Sequence, residues 1–140
     1  TRRISEFGGL RKSMPIYASI FLFTSFASIG LPGLNGFVGE FMILMGSYPT
    51  FKVLTSVAAF GVVLAAIYML WAYQRMFNGQ LDNDENSVLK DLSSKELVAV
   101  GPLLVLMLFI GIYPSFIESY VVQDVSVIYE SISNLIGVSQ

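Results

Sequence analysis

Charge is almost absent from three long stretches of this chain, and the intervals between them are short and polar. The opening TRRISEFGGLRKSM, residues 1–14, is basic and carries a Gly-Gly, which predicts a loop or a short surface helix. From Pro15 to Tyr48 the only charged residue is Glu40. Proline at the first position starts a helix well, because its missing N–H has no helical partner there. The block is then broken by GLPGLNG, Gly30 to Gly36, which is poor helix material. Pro15–Leu31 covers about 25 Å, slightly short of a ~30 Å hydrocarbon core. Residues 15–48 are therefore long for one span and short for two with a loop. A discontinuous helix and a re-entrant hairpin both fit. Irregular backbone at membrane depth is tolerated only under a cover of protein or water, so this joint should face a protein interior.

Pro49 ends the block, and residues 51–77 form the cleanest span. Its far end, with Tyr68, Trp71, Tyr73, Arg75 and Phe77, has the look of an interface belt. Residues 78–95 read as a polar loop. Ser93 followed by Glu96 is a capping-box pattern that marks the next helix start. Residues 96–113 give the last span, with Gly101 and Pro102 expected as a packing and bending feature. Beyond Pro114, Ile117, Val121, Val125, Ile128, Ile132 and Leu135 recur at spacings of three and four, making one apolar stripe. Glu118 and Glu130 lie on the opposite face. Residues 115–137 thus predict an amphipathic helix on a membrane surface or a partner, and its acidic face argues against a hold by anionic lipid.

Composition sharpens this picture. Of 140 residues, 54% are hydrophobic and 13% charged, against about 25% charged in soluble domains. The reading is an all-α membrane protein with three crossings, the first discontinuous near Gly30–Gly36, plus a C-terminal amphipathic helix. Net charge of −2 gives no footprint for nucleic acid. With no Cys and no His, zinc, iron–sulfur and thiol or Ser–His chemistry are not expected, so no metal site is predicted. The chain opens on Thr rather than Met, which suggests the C-terminal piece of a longer membrane protein. Seven of the eight basic residues fall in or beside 1–14 and 78–95; Lys52 alone falls on the other side. The positive-inside rule then places those two segments in the cytoplasm and the C-terminus outside. A hairpin would spoil this bias, which favours the discontinuous helix.

Glu40 is the candidate for chemistry. A carboxylate at mid-membrane costs about 3 kcal/mol on insertion scales. No Lys or Arg of this chain is placed to neutralise it at that depth, so it should take and release a proton, or have its partner in sequence upstream. The alternative is a neutral structural acid that caps broken helix ends. Pro32 removes a backbone donor, and Gly30, Gly33, Gly36 and Gly39 allow unusual dihedrals and close helix approach. Freed amides and carbonyls at the break would serve water or an ion. Gly36, Glu40 and Ser47 share one helix face; Tyr17, Thr24 and Ser28 make a similar polar line. Thr24, Ser28, Asn35 and Ser47 are candidate members of a proton wire, set against the habit of membrane Ser and Thr of bonding their own backbone.

GLPGLNGFVGEFMILMGSY, with TRRISEFGGLRKSMP before it and YMLWAYQRMFNG after it, resembles the M-type antiporter-like subunits of respiratory complex I, the proton-pumping NADH:quinone oxidoreductase. The likeness is strongest from Arg2 to Gly79 and weakest after Pro114. It implies the last three of fourteen transmembrane helices, a discontinuous helix at 15–48, and a protonatable acid at Glu40 near the end of a proton path. Sister L-type and N-type subunits, and subunits of multisubunit cation/proton antiporters, typically carry Lys where Glu40 stands. The resemblance further implies a C-terminal helix on the outer face that ties neighbouring L- and N-type subunits together. It places the protein in membrane lipid, in a bacterial inner membrane. It implies no cofactor in this chain: NADH, FMN, iron–sulfur clusters and quinone belong to other subunits, and the family's remaining pump residues lie on earlier helices. A cation/proton antiporter subunit and a purely structural bundle remain the rival readings.

Overall fold

The computed structural model describes Ile4, residues 7–80 and residues 84–136; for 84–85, 123–124, 130 and 133–136 it describes the backbone only. Among these residues the chain is helical throughout, with no strand. The helices are α1 (Leu10–Ser13), α2 (Pro15–Ser28), α3 (Asn35–Ser47), α4 (Lys52–Phe77), α5 (Asp84–Ser87), α6 (Ser94–Ile112) and α7 (Ser115–Ile136). α4 and α6 are long and apolar enough to cross a membrane; α2 is apolar but shorter.

The break in the first block is real and ordered. α2 stops at Ser28 and α3 starts at Asn35. The start of α2 packs on the end of α4, where Leu10, Ala18, Tyr73 and Phe77 are buried together. Phe21 lies 5.0 Å from Phe77 and 6.3 Å from Tyr73 between ring centroids. The end of α3 is joined to the start of α4 by the short Tyr48–Phe51 turn, whose amides at Thr50 and Phe51 donate to the Ser47 carbonyl. The two ends of the α2–α3 pair therefore sit at opposite ends of α4. The two half-helices thus run in succession antiparallel to α4, as a discontinuous helix would.

The loop after α4 turns back on the start of α2. Asp91 accepts hydrogen bonds from the backbone N–H of Ile16 (2.8 Å) and Tyr17 (3.0 Å), and from that of Leu92 (2.8 Å). Since Met14 offers α2 no side-chain cap, an acid about 75 residues away does that work. Partial desolvation pushes the Asp91 carboxyl up, but the N–H donors of Ile16, Leu92 and Tyr17 outweigh it and hold it below the usual carboxylate range. Ser93 and Glu96 form the full reciprocal capping box at the start of α6, as their spacing predicts.

Little of the apolar surface is buried within the chain. Val53 and Val98 are 77% and 74% exposed, and large side chains all along α4 and α6 face outward. This is the inverse of a soluble core, and it fits helices made for an apolar surround. The stripe on α7 is equally uncovered: Ile117, Val121, Val125, Ile128 and Ile132 are all exposed. The side chain of Leu135, and the acid at Glu130 on the opposite face, lie outside the described side chains.

Candidate functional site: the joint between two half-helices

Each residue of GLPGLNG has a separate task in the joint. α2 ends in two hydrogen bonds: Gly30 N–H donates to the Ala27 carbonyl (3.4 Å) and Leu31 N–H to the Phe26 carbonyl (3.0 Å). With Gly30 at φ 71°, this is a Schellman ending, which needs a left-handed residue that glycine supplies without strain. The chain then turns through Leu31–Pro32–Gly33–Leu34, closed by Leu34 N–H to the Leu31 carbonyl (3.1 Å). Pro32 fixes the second residue of the turn and Gly33, at φ 93°, supplies the positive φ of the third. Leu34, buried and extended, then precedes α3.

Leu34 gives α3 no side-chain cap, so the first amides of α3 are left for other partners. Gly36 lies so close to the end of α2 that a Cβ there would collide with the Ala27 carbonyl oxygen. Gly111 of α6 presses on the turn in the same way: a Cβ would run into the Gly33 carbonyl and the Leu34 Cα. Backbone thus meets backbone on two sides of the joint. Gly39, by contrast, has no atom within 4 Å of its would-be Cβ, and neither has Gly101. The close packing expected at Gly101 is found instead at Gly111, nearly three turns further along α6.

Glu40 is half-buried on the second turn of α3. Helical side chains lean toward the N-terminus of their helix, and Glu40 leans back onto Gly30. A Cβ at residue 30 would strike its Oε2 and stand 3.2 Å from its Cδ. The carboxyl group therefore occupies the space that Gly30 leaves open, between the end of α2 and the first turn of α3. No other charged residue occurs between Lys12 and Lys52. An acid at the start of a helix also sits in the favourable field of its N-terminal amides.

The candidate wire residues are placed unevenly. Asn35 opens α3, and its Oδ1 is buried with no hydrogen-bond partner among the described residues. The Thr24 hydroxyl is spent on its own helix, donating toward the Ile20 (3.1 Å) and Phe21 (3.0 Å) carbonyls. Ser28 is exposed at the end of α2. Ser47 lies at the far end of α3, beside α4. So Gly30, Pro32, Gly33, Gly36, Asn35 and Glu40 are gathered at the joint and Ser28 borders it at the end of α2, whereas Thr24 and Ser47 lie away from it. Two residues that the sequence did not single out join the picture, Gly111 and Thr55. No motif marks either; the Pro-Gly pair after a glycine, on the other hand, spells the helix ending and the turn.

A family described as "NADH:quinone oxidoreductase/Mrp antiporter, TM" matches residues 1–67. Subunit M of NADH-quinone oxidoreductase from Rhodobacter capsulatus is 42% identical over 124 residues, covering 86% of this chain and 24% of that protein. The same subunit from Rickettsia felis is 38% identical over 117 residues (84% and 24%), and that from Mycobacterium tuberculosis 37% identical over 114 (81% and 20%). Among solved structures, respiratory complex I from Thermus thermophilus with bound NADH matches at a TM-score of 0.72 and 35% identity, over 81% of this chain and 24% of that one. The chain spans about a quarter of the length of the relatives it matches. Over more than four fifths of its length, then, the chain is similar to subunit M of NADH-quinone oxidoreductase.

Proposed function

We propose that this chain carries the terminal part of a proton path in a complex I membrane subunit, with Glu40 as the carrier. The observation that supports this most is the seat of Glu40: an isolated acid folded back into the opening of a broken helix. There it can meet the freed amides of α3, the unpartnered Oδ1 of Asn35, and water. It receives a proton from the hydrated interior of the subunit and releases it toward the outside, its charge state set by a neighbouring charge. Electron transfer, with NADH, FMN, iron–sulfur clusters and quinone, takes place in other subunits. This chain's contribution to the oxidoreductase is translocation alone.

In this reading α2–α3, α4 and α6 are the three crossings. The Lys and Arg distribution sets residues 1–14 and 78–95 on the cytoplasmic face of a bacterial inner membrane. α7 then lies on the outer face, its apolar stripe available to neighbouring L-type and N-type subunits.

The test is Glu40→Gln in the assembled complex. The substitution keeps the size and removes the titratable proton. Expected is normal assembly, severely reduced proton pumping and reduced coupled turnover. Normal pumping by a fully assembled variant would sink the proposal and favour a capping acid. Cation exchange without associated quinone reductase activity would favour the antiporter reading, which the matched family's description also covers.

A further inference from the structure

Beyond Glu40, on the way to the end of α3, the chain holds a polar feature in an apolar setting. A crevice of about 260 Å³ lies between α3 and the start of α4, lined by Ile43, Leu44, Ser47, Leu54 and Thr55 among others. Ser47 is two turns past Glu40 on the same face, about 10 Å along the axis. Thr55 is only 6% exposed, and its hydroxyl is buried with no hydrogen-bond partner among the described residues. That is unusual for threonine in a helix, which ordinarily bonds a carbonyl one turn back. Ser56 does so, donating to the Lys52 carbonyl at 2.8 Å. An unmet buried hydroxyl costs about 1–3 kcal/mol, and a position meant only for packing would be served by valine.

More unmet polar groups lie at the same end of α3. Pro49 has no N–H to give to the Met45 carbonyl, and the Thr50 N–H goes to Ser47 rather than to Gly46. Two hydroxyl-bearing residues, Ser47 and Thr55, thus line a space with room for several waters, at roughly 30 Å³ each.

We infer that this crevice is a water-filled exit for the proton released by Glu40, and that the Thr55 hydroxyl positions its water chain. The inference rests on the reading of Glu40 as proton carrier. The occupant is water carrying an excess proton, handed on through hydrogen bonds with no covalent change in the protein.

The experiment compares Thr55→Val, Thr55→Ser and Glu40→Gln in the intact complex. Thr55→Val keeps the shape and removes a buried unmet hydroxyl, so it should assemble at least as well as the parent. Expected is a two- to tenfold loss of pumping rate in Thr55→Val, about the rate equivalent of one hydrogen bond, with an increased solvent deuterium isotope effect. Thr55→Ser should restore both. Parental pumping and isotope effect in Thr55→Val overturn the inference, and so does an equal loss in Val and Ser, which would mean packing. Loss in Glu40→Gln with an unaffected Thr55→Val removes the exit and leaves the carrier standing; an unaffected Glu40→Gln removes the carrier itself.

Discussion

A carboxyl group and a missing side chain share one place at the joint. Glu40 reaches Gly30 because helical side chains lean backward, and it fits because residue 30 has no Cβ. Alanine at 30 would offend twice, by a left-handed backbone costing about 1–2 kcal/mol and by displacing the carboxyl group. Gly30→Ala should therefore lower pumping nearly as far as loss of Glu40, in a complex that still assembles but melts earlier. Pumping and thermal melting measured on one preparation check this; parental pumping would show that the seat of Glu40 is immaterial. That an acid stands in an exceptional place was legible in the sequence, since Glu40 is the only charge in a run of 39 residues between Lys12 and Lys52. Its partner was legible only as one glycine among several. Thr55 was not legible at all, because a threonine with an unmet hydroxyl reads in sequence like one bonded to its own helix.

The break in the first membrane block was plain from Gly30 to Gly36, and its two-part construction could have been spelled from the same letters: a glycine to end a helix, then Pro-Gly to turn. What sequence could not supply is the neighbour that clamps it. LFIGIY looks like any apolar helix end, yet Gly111 lets α6 lie directly on the Gly33 carbonyl. Gly101, beside a proline, is the more conspicuous glycine in sequence, yet a Cβ there would meet nothing within 4 Å. Close approach is a property of two elements, and periodicity describes one at a time. Gly111→Ala should push α6 off the joint and lower both stability and pumping. Gly61→Ala on α4, where nothing lies within 4 Å, should be neutral or stabilising by about 0.5–1 kcal/mol from helix preference alone. Melting temperatures of the two variants compare them directly; equal shifts would argue against the clamp.

On the scale of the whole molecule, most apolar surface faces away from the chain. α4 and α6 present theirs over most of their surface outside their contacts with α2 and α3, as lipid or further helices require, but α7 confines its own to one stripe. A one-sided stripe suits one partner surface. Val125→Asp sets a carboxylate in its middle, and burying it unpartnered costs at least about 1–3 kcal/mol, a weakening of roughly five- to 150-fold. Native electrophoresis should then show the complex losing a neighbouring membrane subunit, whereas Ser119→Asp on the opposite face should leave it whole. Both variants behaving alike would mean that α7 binds no subunit through this face. The existence of this helix was legible from spacing; a surface to cover its stripe was not, because spacing describes one element at a time.

The cap on α2 has a consequence in time. Ile16 and Tyr17 wait for Asp91, 75 and 74 residues further on, and the joint waits for Gly111, later still. Ribosomes add about 5–20 residues per second, so the first half-helix leaves synthesis roughly 4–15 s before its cap exists. During that interval the segment with the gap is open at its start and unclamped at its middle. α6 closes it, so the opening acquires its fixed shape only once a helix made some 75 residues later has docked on it.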